Sequence, residues 1–223
     1  ILPIDEKKQI LLEKNLHISS SLAEILTRKN LDENSAKLFL NPTKIPYHDP
    51  FLLKDMEKAC QRLLLALKNK EKICIYGDYD VDGVSSTALL MTVFTKLGFN
   101  IDYYLPDRHS EGYGLHIESL QKLIPKYDLL ITVDCGITAL DEVNYAKDKI
   151  DMIITDHHLP REILPDAFAI INPTQTQCNY PNKNLCGVGV SFKLCQGLYQ
   201  CLNKDIHELE NYLDIVALGT IAD

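Results

Sequence analysis

Three short stretches of this sequence carry side chains that bind cations. Asp78-Tyr79-Asp80-Val81-Asp82-Gly83 places carboxylates at alternate positions. Val133-Asp134-Cys135-Gly136 supplies another, and Asp156-His157-His158 sets a carboxylate beside two imidazoles. Carboxylates gathered in one place repel one another and resist ionising together. Divalent cations relieve that repulsion. Mixed Asp and His sets suit Mn²⁺, Mg²⁺ or Zn²⁺, and Mn²⁺ is at home among several carboxylates plus imidazole. A shared carboxylate can hold two cations about 3.5–4 Å apart, an arrangement that serves in-line attack on phosphate. Each stretch also has a plainer reading. Asp residues form turns and cap helices, and paired histidines often lie at the surface. The first stretch opens like a calcium-binding EF-hand loop, but its twelfth position is Leu89 rather than Glu, and a strand precedes it. No G-x-G-x-x-G is present for a Rossmann nucleotide site.

The surrounding pattern would bring the three stretches together. Each follows a short apolar run, at 73–76, 129–133 and 152–154, that reads as a buried strand. Further strands are expected at 101–105 and 167–171. Helices are expected at 84–97 with a stop at Gly98, at 115–124, 138–147 and 188–201, and from 207 to about 222. Strands alternating with helices imply an α/β fold, a mostly parallel sheet with helices on both faces. All three stretches then lie past the C-terminal ends of strands, the edge where ligands bind in open α/β sheets. A short helical segment comes first. Ser21 and Glu24 have capping-box spacing, 33–40 reads as a helix, 41–50 as a Pro-containing loop, and 55–68 as a helix. The expected division is a helical lead-in at 1–52 and one catalytic domain at 53–223.

The chain has 223 residues, 46% hydrophobic and 24% charged, enough for one large domain or a domain with a small appendage. Its first residue is Ile1, read as a trimmed start. The net charge is −8, whereas a simple nucleic-acid coat protein is basic. Cation-binding carboxylates contribute to that charge and are offset by the ions they hold. Any DNA-gripping surface is therefore local, or lies elsewhere in a longer protein. No apolar run approaches the roughly 20 residues of a membrane span, and no secretory signal is present, so a cytoplasmic protein without a membrane partner is expected. The seven cysteines form no C-x-x-C pair and are expected to be reduced thiols, mostly in the core.

In this order, the three stretches resemble motifs I, II and III of the DHH phosphoesterases, a family named for the triplet seen here as Asp156-His157-His158. Ala217 to Asp223 resembles motif IV, whose last Asp closes the metal site. Further segments resemble the branch of single-strand-specific DNA exonucleases: Asp49 to Met56, Leu105 to Arg108, Glu111 to Leu115, Ile171 to Pro173, Cys178 to Pro181 and Leu185 to Val190. The likeness covers nearly the whole chain. It implies 5′→3′ hydrolysis of single-stranded DNA to mononucleotides with two Mn²⁺ or Mg²⁺ ions, in DNA repair and recombination. It implies metal ligands at Asp78, Asp80, Asp82, Asp134, His157 and Asp223, with Asp134 shared between ions. Asp156 would orient a metal-binding imidazole, and Arg108 and His158 would meet substrate phosphate. His158 joins Asp80, Asp82, Asp134, His157 and Asp223 as a residue acting on the reaction. Tyr113, between Gly112 and Gly114, either stacks on a base or sits in an ordinary turn. Gly187 and Gly189 either admit a phosphate or only turn the chain. His109 receives no role.

The implied partners are single-stranded DNA and a single-strand-binding protein or a helicase. Two alternatives stand beside this reading. One is a DHH phosphoesterase acting on short oligoribonucleotides, cyclic dinucleotides or pyrophosphate. The other is a non-catalytic DHH-like replication scaffold, against which the intact Asp and His set argues. Relatives of the exonuclease type also carry a second domain that helps hold nucleic acid, and an OB-fold, neither of which these residues resemble. A strand is gripped by basic grooves and stacked aromatics, and this chain has no tryptophan. Titrated against one oligonucleotide at equal salt, the 223 residues should bind more weakly than a longer protein with those domains. Equal affinity and equal Mn²⁺-dependent turnover would place the grip within these residues instead.

Overall fold

The computed structural model describes residues 4–42, 46–108 and 112–223. His109 and Glu111 lie outside the described residues. The chain forms two compact units, Ile1–Tyr47 and His48–Asp223. The first contains α1 (Glu6–Leu16), α2 (Ser20–Arg28) and α3 (Glu33–Leu40). Each starts at a side-chain cap, Asp5, Ser19 and Asp32 accepting from the N–H groups of Lys8, Leu22 and Ser35. The cap of α2 is thus Ser19, not Ser21. Ser19 has the extended backbone that a cap requires (φ −67°, ψ 153°). Glu24 is drawn forward to Arg28 instead of back to a cap. Leu12, Ala23, Leu26 and Ala36 form the unit's small core.

The second unit opens at His48, ahead of the expected boundary after residue 52. Pro50 is buried and Phe51 packs on the unit's core. There follow α4 (Met56–Asn69), β1 (Lys72–Tyr76), α5 (Val81–Leu97), β2 (Asn100–Tyr104), α6 (Ile117–Leu123), β3 (Leu129–Val133), α7 (Leu140–Ala146), β4 (Asp151–Thr155), β5 (Ala169–Ile171), α8 (Gly187–Cys201) and α9 (Leu213–Ala222). The five strands pair in parallel in the order β2-β1-β3-β4-β5. Side chains alternate across the sheet with a period of two. Ile73, Ile75, Leu129, Ile131, Val133, Ile153, Ala169 and Ile171 join one core layer, with residues of α4, α5 and α8. Cys74, Tyr76, Leu130, Met152, Ile154 and Ile170 join the other, with residues of α6 and α7. Strands buried on both faces read as continuous apolar runs, which is why they stand out in the sequence.

Two elements start more than two residues from the sequence reading. Helix α5 starts at Val81 rather than 84, because Asp80 caps it by accepting from Gly83 N–H. Residues Ile206–Tyr212 form 3₁₀ turns, and α9 begins only at Leu213. All seven cysteines are free thiols, and Cys60, Cys74, Cys135, Cys186 and Cys195 are buried. Among the described residues no helix is long and apolar enough to cross a membrane.

Strand order reverses direction between β1 and β3. In such sheets the crevice at the strands' C-terminal ends receives ligands. The register levels those ends, pairing Tyr76 with Thr132 and Val133 with Thr155. The opposite edge is fastened by Arg62 of α4, 8% exposed, which reaches Glu71 and Asp151 at 2.6 Å each. Removing one partner of a buried ion pair strands the other charges. Because Asp151 is partly solvated, Arg62→Ala should lower unfolding free energy by about 2 kcal/mol in urea titrations, with Mn²⁺ affinity unchanged. Unaltered stability would show that water already screens this pair.

Candidate metal centre

The carboxylates enter the crevice from three strand ends. Past β1, Asp78 is fully buried and its Oδ1 accepts from Tyr79 N–H at 2.6 Å. Asp80, exposed, caps α5. Asp82 lies in the first turn of α5, almost fully buried, and its two oxygens accept from the N–H groups of Gly187 (2.5 Å) and Val188 (2.8 Å). These are the first residues of α8, which has no side-chain cap of its own. Asp82 therefore caps a helix in distant sequence while sitting at the positive ends of both helices. Past β3, Asp134 is buried at a left-handed φ of 60°, its N–H bonded to Thr155 O.

Past β4, Asp156 is buried and organises its neighbours. Its Oδ1 accepts from the backbone N–H groups of His157 (2.7 Å) and His158 (3.1 Å) and lies 2.7 Å from His158 Nδ1; its Oδ2 accepts from Ile137 N–H. His157 is turned the other way. Its Nε2 lies 3.1 Å from Asp134 Oδ1, 3.7 Å from Asp82 Oδ2 and 3.9 Å from Asp223 Oδ1. Asp223 arrives at the end of α9, its N–H bonded to Gly219 O.

Among the described residues, two groups have the spacing of cation ligands: Asp82, His157 and Asp223, and Asp134, His157 and His158, with ligand atoms within 4.8 Å of one another. The member common to both is His157, whereas the family resemblance implies that the shared group is Asp134. A neutral imidazole nitrogen offers one lone pair, whereas a carboxylate has pairs for two ions. Asp78 and Asp80 belong to neither group, though their charges act within the same cluster. Asp156 directs its oxygens to the His158 ring and to the backbone N–H groups of Ile137, His157 and His158, and to the His157 ring not at all. Arg108 is exposed, with its guanidinium 5.5 Å from the centre of the Tyr79 ring. Tyr113 OH lies 3.1 Å from His158 Nε2.

Burial pushes Asp78 and Asp82 above the usual carboxylate range. It pushes Asp134 up to about 7, helped by the charges of Asp82 and Asp80 and opposed by His157. Asp156 goes the other way: burial would raise it, but hydrogen bonds from His158 and Ile137 N–H outweigh burial. Its carboxylate in turn raises His158 to about 9. His157 is also raised, Asp134 outweighing burial.

Glycines make the close approaches possible. A Cβ on Gly187 would stand 2.7 Å from Asp134 Oδ1, and one on Gly219 2.7 Å from Asp82 Oδ1. Of the two open readings of Gly187, neither is complete, since the residue makes room for a carboxylate. Gly219 and Tyr79 were missed in the sequence, although one lies in motif IV and the other between two motif I carboxylates.

Residues 72–220 match the family model described as DHH family, N-terminal domain. The chain belongs to the DHH family. It is similar to the Bacillus subtilis (strain 168) single-stranded-DNA-specific exonuclease RecJ, 43% identical over 222 residues, covering 98% of this chain and 28% of that protein. The crystal structure of exonuclease RecJ bound to manganese is 34% identical with a TM-score of 0.71, covering 80% of this chain and 45% of its own. RecJ from Thermus thermophilus in complex with Mn²⁺ has a TM-score of 0.79 at 27% identity, covering 100% of this chain and 31% of its own. The chain thus spans less than half the length of these relatives.

The buried carboxylates make a pH-dependent cost. Asp134 ionises near 3.8 when unfolded and near 7 when folded. Between these values the folded, metal-free protein keeps a proton that the unfolded chain has released. Stability is therefore lost as pH rises toward about 7. Asp134→Asn removes this cost. Its melting temperature should exceed wild type by roughly 3–6 °C more at pH 8 than at pH 5, and Mn²⁺ should stabilise wild type but not the variant. The same offset at both pH values would contradict the burial of an ionising Asp134.

Proposed function

We propose that this chain is the catalytic part of a metal-dependent exonuclease that hydrolyses single-stranded DNA 5′→3′ to mononucleotides. The observation that carries the reading is the convergence of Asp82, Asp134 and Asp223 on His157. The cluster suits a cation. Asp78 Oδ2, Asp134 Oδ1 and His157 Nε2 are buried without a hydrogen-bond partner among the described residues. The 3.1 Å approach of the last two is a contact lacking hydrogen-bond alignment. Buried polar atoms left unpaired are costly, and two that face each other, on Asp134 and His157, call for a ligand. The donor set of carboxylates and imidazole suits Mn²⁺ or Mg²⁺, and relatives of this chain have been solved with manganese.

Asp82, Asp134, His157 and Asp223 would hold one ion, and Asp78, Asp80 and Asp134 a second. Two bound ions would neutralise phosphate charge and lower the pKa of the attacking water. The chain's own residues do the rest. Asp156 fixes the His158 ring through Nδ1, and Nε2, 3.1 Å from Tyr113 OH, would meet substrate by exchanging that hydroxyl for a phosphate oxygen. With its pKa near 9, His158 is cationic at neutral pH and can donate a charge-assisted hydrogen bond to a phosphate oxygen. The α8 N–H groups hold Asp82. Carriage of the ligands on helices and strand ends keeps the site preorganised.

The substrate is inferred from relatives named as single-stranded-DNA-specific exonucleases. Polarity, work in DNA repair and recombination, a cytoplasmic setting and a partnership with a single-strand-binding protein or a helicase are parts of the same proposal. In the full-length protein, Asp134→Ala should cut Mn²⁺-dependent release of mononucleotides from 5′-phosphorylated single-stranded DNA by at least about 1,000-fold, with an unchanged circular dichroism spectrum. Near-wild-type turnover would refute the assignment.

A further inference from the structure

Beside the carboxylates, the side chains of Arg108, Tyr79, Tyr113 and His158 meet in series. The Arg108 guanidinium lies 5.5 Å from the Tyr79 ring centre. Tyr79 and Tyr113 meet edge to face, 6.3 Å apart at 85°. Tyr113 packs against His158 at 6.2 Å and 80°, with its hydroxyl 3.1 Å from Nε2. We propose that Tyr79 is a positioning residue for substrate phosphate: its ring, braced by Tyr113, seats Arg108 on the same wall as His158. This inference rests on the phosphodiesterase reading above.

The wall is anchored at the sheet edge in three places. Tyr79 is fixed by its N–H bond to Asp78. Arg108 follows β2, whose end is tied to β1 by the Gly77 N–H to Tyr104 O bond of 3.0 Å. The loop bearing Tyr113 is pinned where Tyr76 OH donates to Gly114 O at 3.0 Å. An exposed arginine samples many rotamers and loses that freedom on binding. A ring against the guanidinium narrows the choice beforehand. Face contact also leaves the guanidinium's in-plane N–H fork open, the part that grips phosphate in bidentate fashion. Arg108 thus supplies positive charge beside an acidic cluster, in a chain whose net charge is −8. The phosphate taken is either a terminal 5′-phosphate or an internal phosphodiester of the strand.

The test uses the full-length protein with Mn²⁺ and oligonucleotides bearing a 5′-phosphate or a 5′-hydroxyl. Tyr79→Leu should raise KM about two- to fivefold, the range of an exposed cation–π contact, with kcat and Mn²⁺ affinity little changed. Tyr79→Phe, which keeps the ring, should restore KM. In an Arg108→Gln background, Tyr79→Leu should add nothing further, because the residue it positions is gone. An effect confined to the 5′-phosphorylated strand would assign Arg108 to the terminal phosphate, and an equal effect on both strands to an internal one. Equal KM increases in both backgrounds, or a fall in kcat and Mn²⁺ affinity at constant KM, would overturn the inference. Wild-type protein without Mn²⁺-dependent hydrolysis would overturn the enzyme reading and this inference together.

Discussion

Buried carboxylates crowded at one edge of a parallel sheet are the constraint on which this structure depends. Asp78, Asp82 and Asp134 are all shielded from water, and burial raises each of their pKa values. Such a cluster opposes folding unless something compensates it. The fold provides partial compensation from backbone. Asp82 takes the two leading N–H groups of α8, and Asp78 takes that of Tyr79. His157 adds an imidazole within 4 Å of three carboxylates. The residual charge and the unpaired ligand atoms are what divalent cations would neutralise.

The same edge contains a carboxylate of the opposite character. Asp156 is as buried as Asp134, yet its pKa falls because its oxygens are met by His158 and backbone N–H groups. Two neighbouring acids are thereby divided in role. Asp134 keeps an oxygen without a hydrogen-bond partner among the described residues, and Asp156 spends its capacity on aligning histidines. Small residues make the arrangement fit. At Gly187 and Gly219 a methyl group would press on the carboxylates of Asp134 and Asp82.

Much of this was legible in the sequence, for physical reasons. Leu129-Leu130-Ile131-Thr132-Val133 is buried on both sides and so reads as an unbroken run. The placing of Asp134 and Asp156 at strand ends followed directly. The start of α5 was harder. Val81 and Gly83 are poor helix formers, and Asp80, considered as a ligand, also acts as the cap that starts the helix. The capping of α8 by Asp82 was not legible, because the partners lie 105 and 106 positions apart. Only the folded sheet edge brings them together. Tyr79 escaped notice for the same reason, since its ring is matched to Arg108 through the pairing of β1 with β2.

The central claim is that Asp82, Asp134, His157 and Asp223 converge in order to hold a divalent cation. Anomalous diffraction from crystals of this chain grown with Mn²⁺ tests it most directly. The account predicts a manganese peak within coordination distance, about 2.0–2.3 Å, of His157 Nε2 and of carboxylate oxygens from Asp134 and Asp82. A map without a peak there at saturating Mn²⁺, with the same side chains in place, would contradict it.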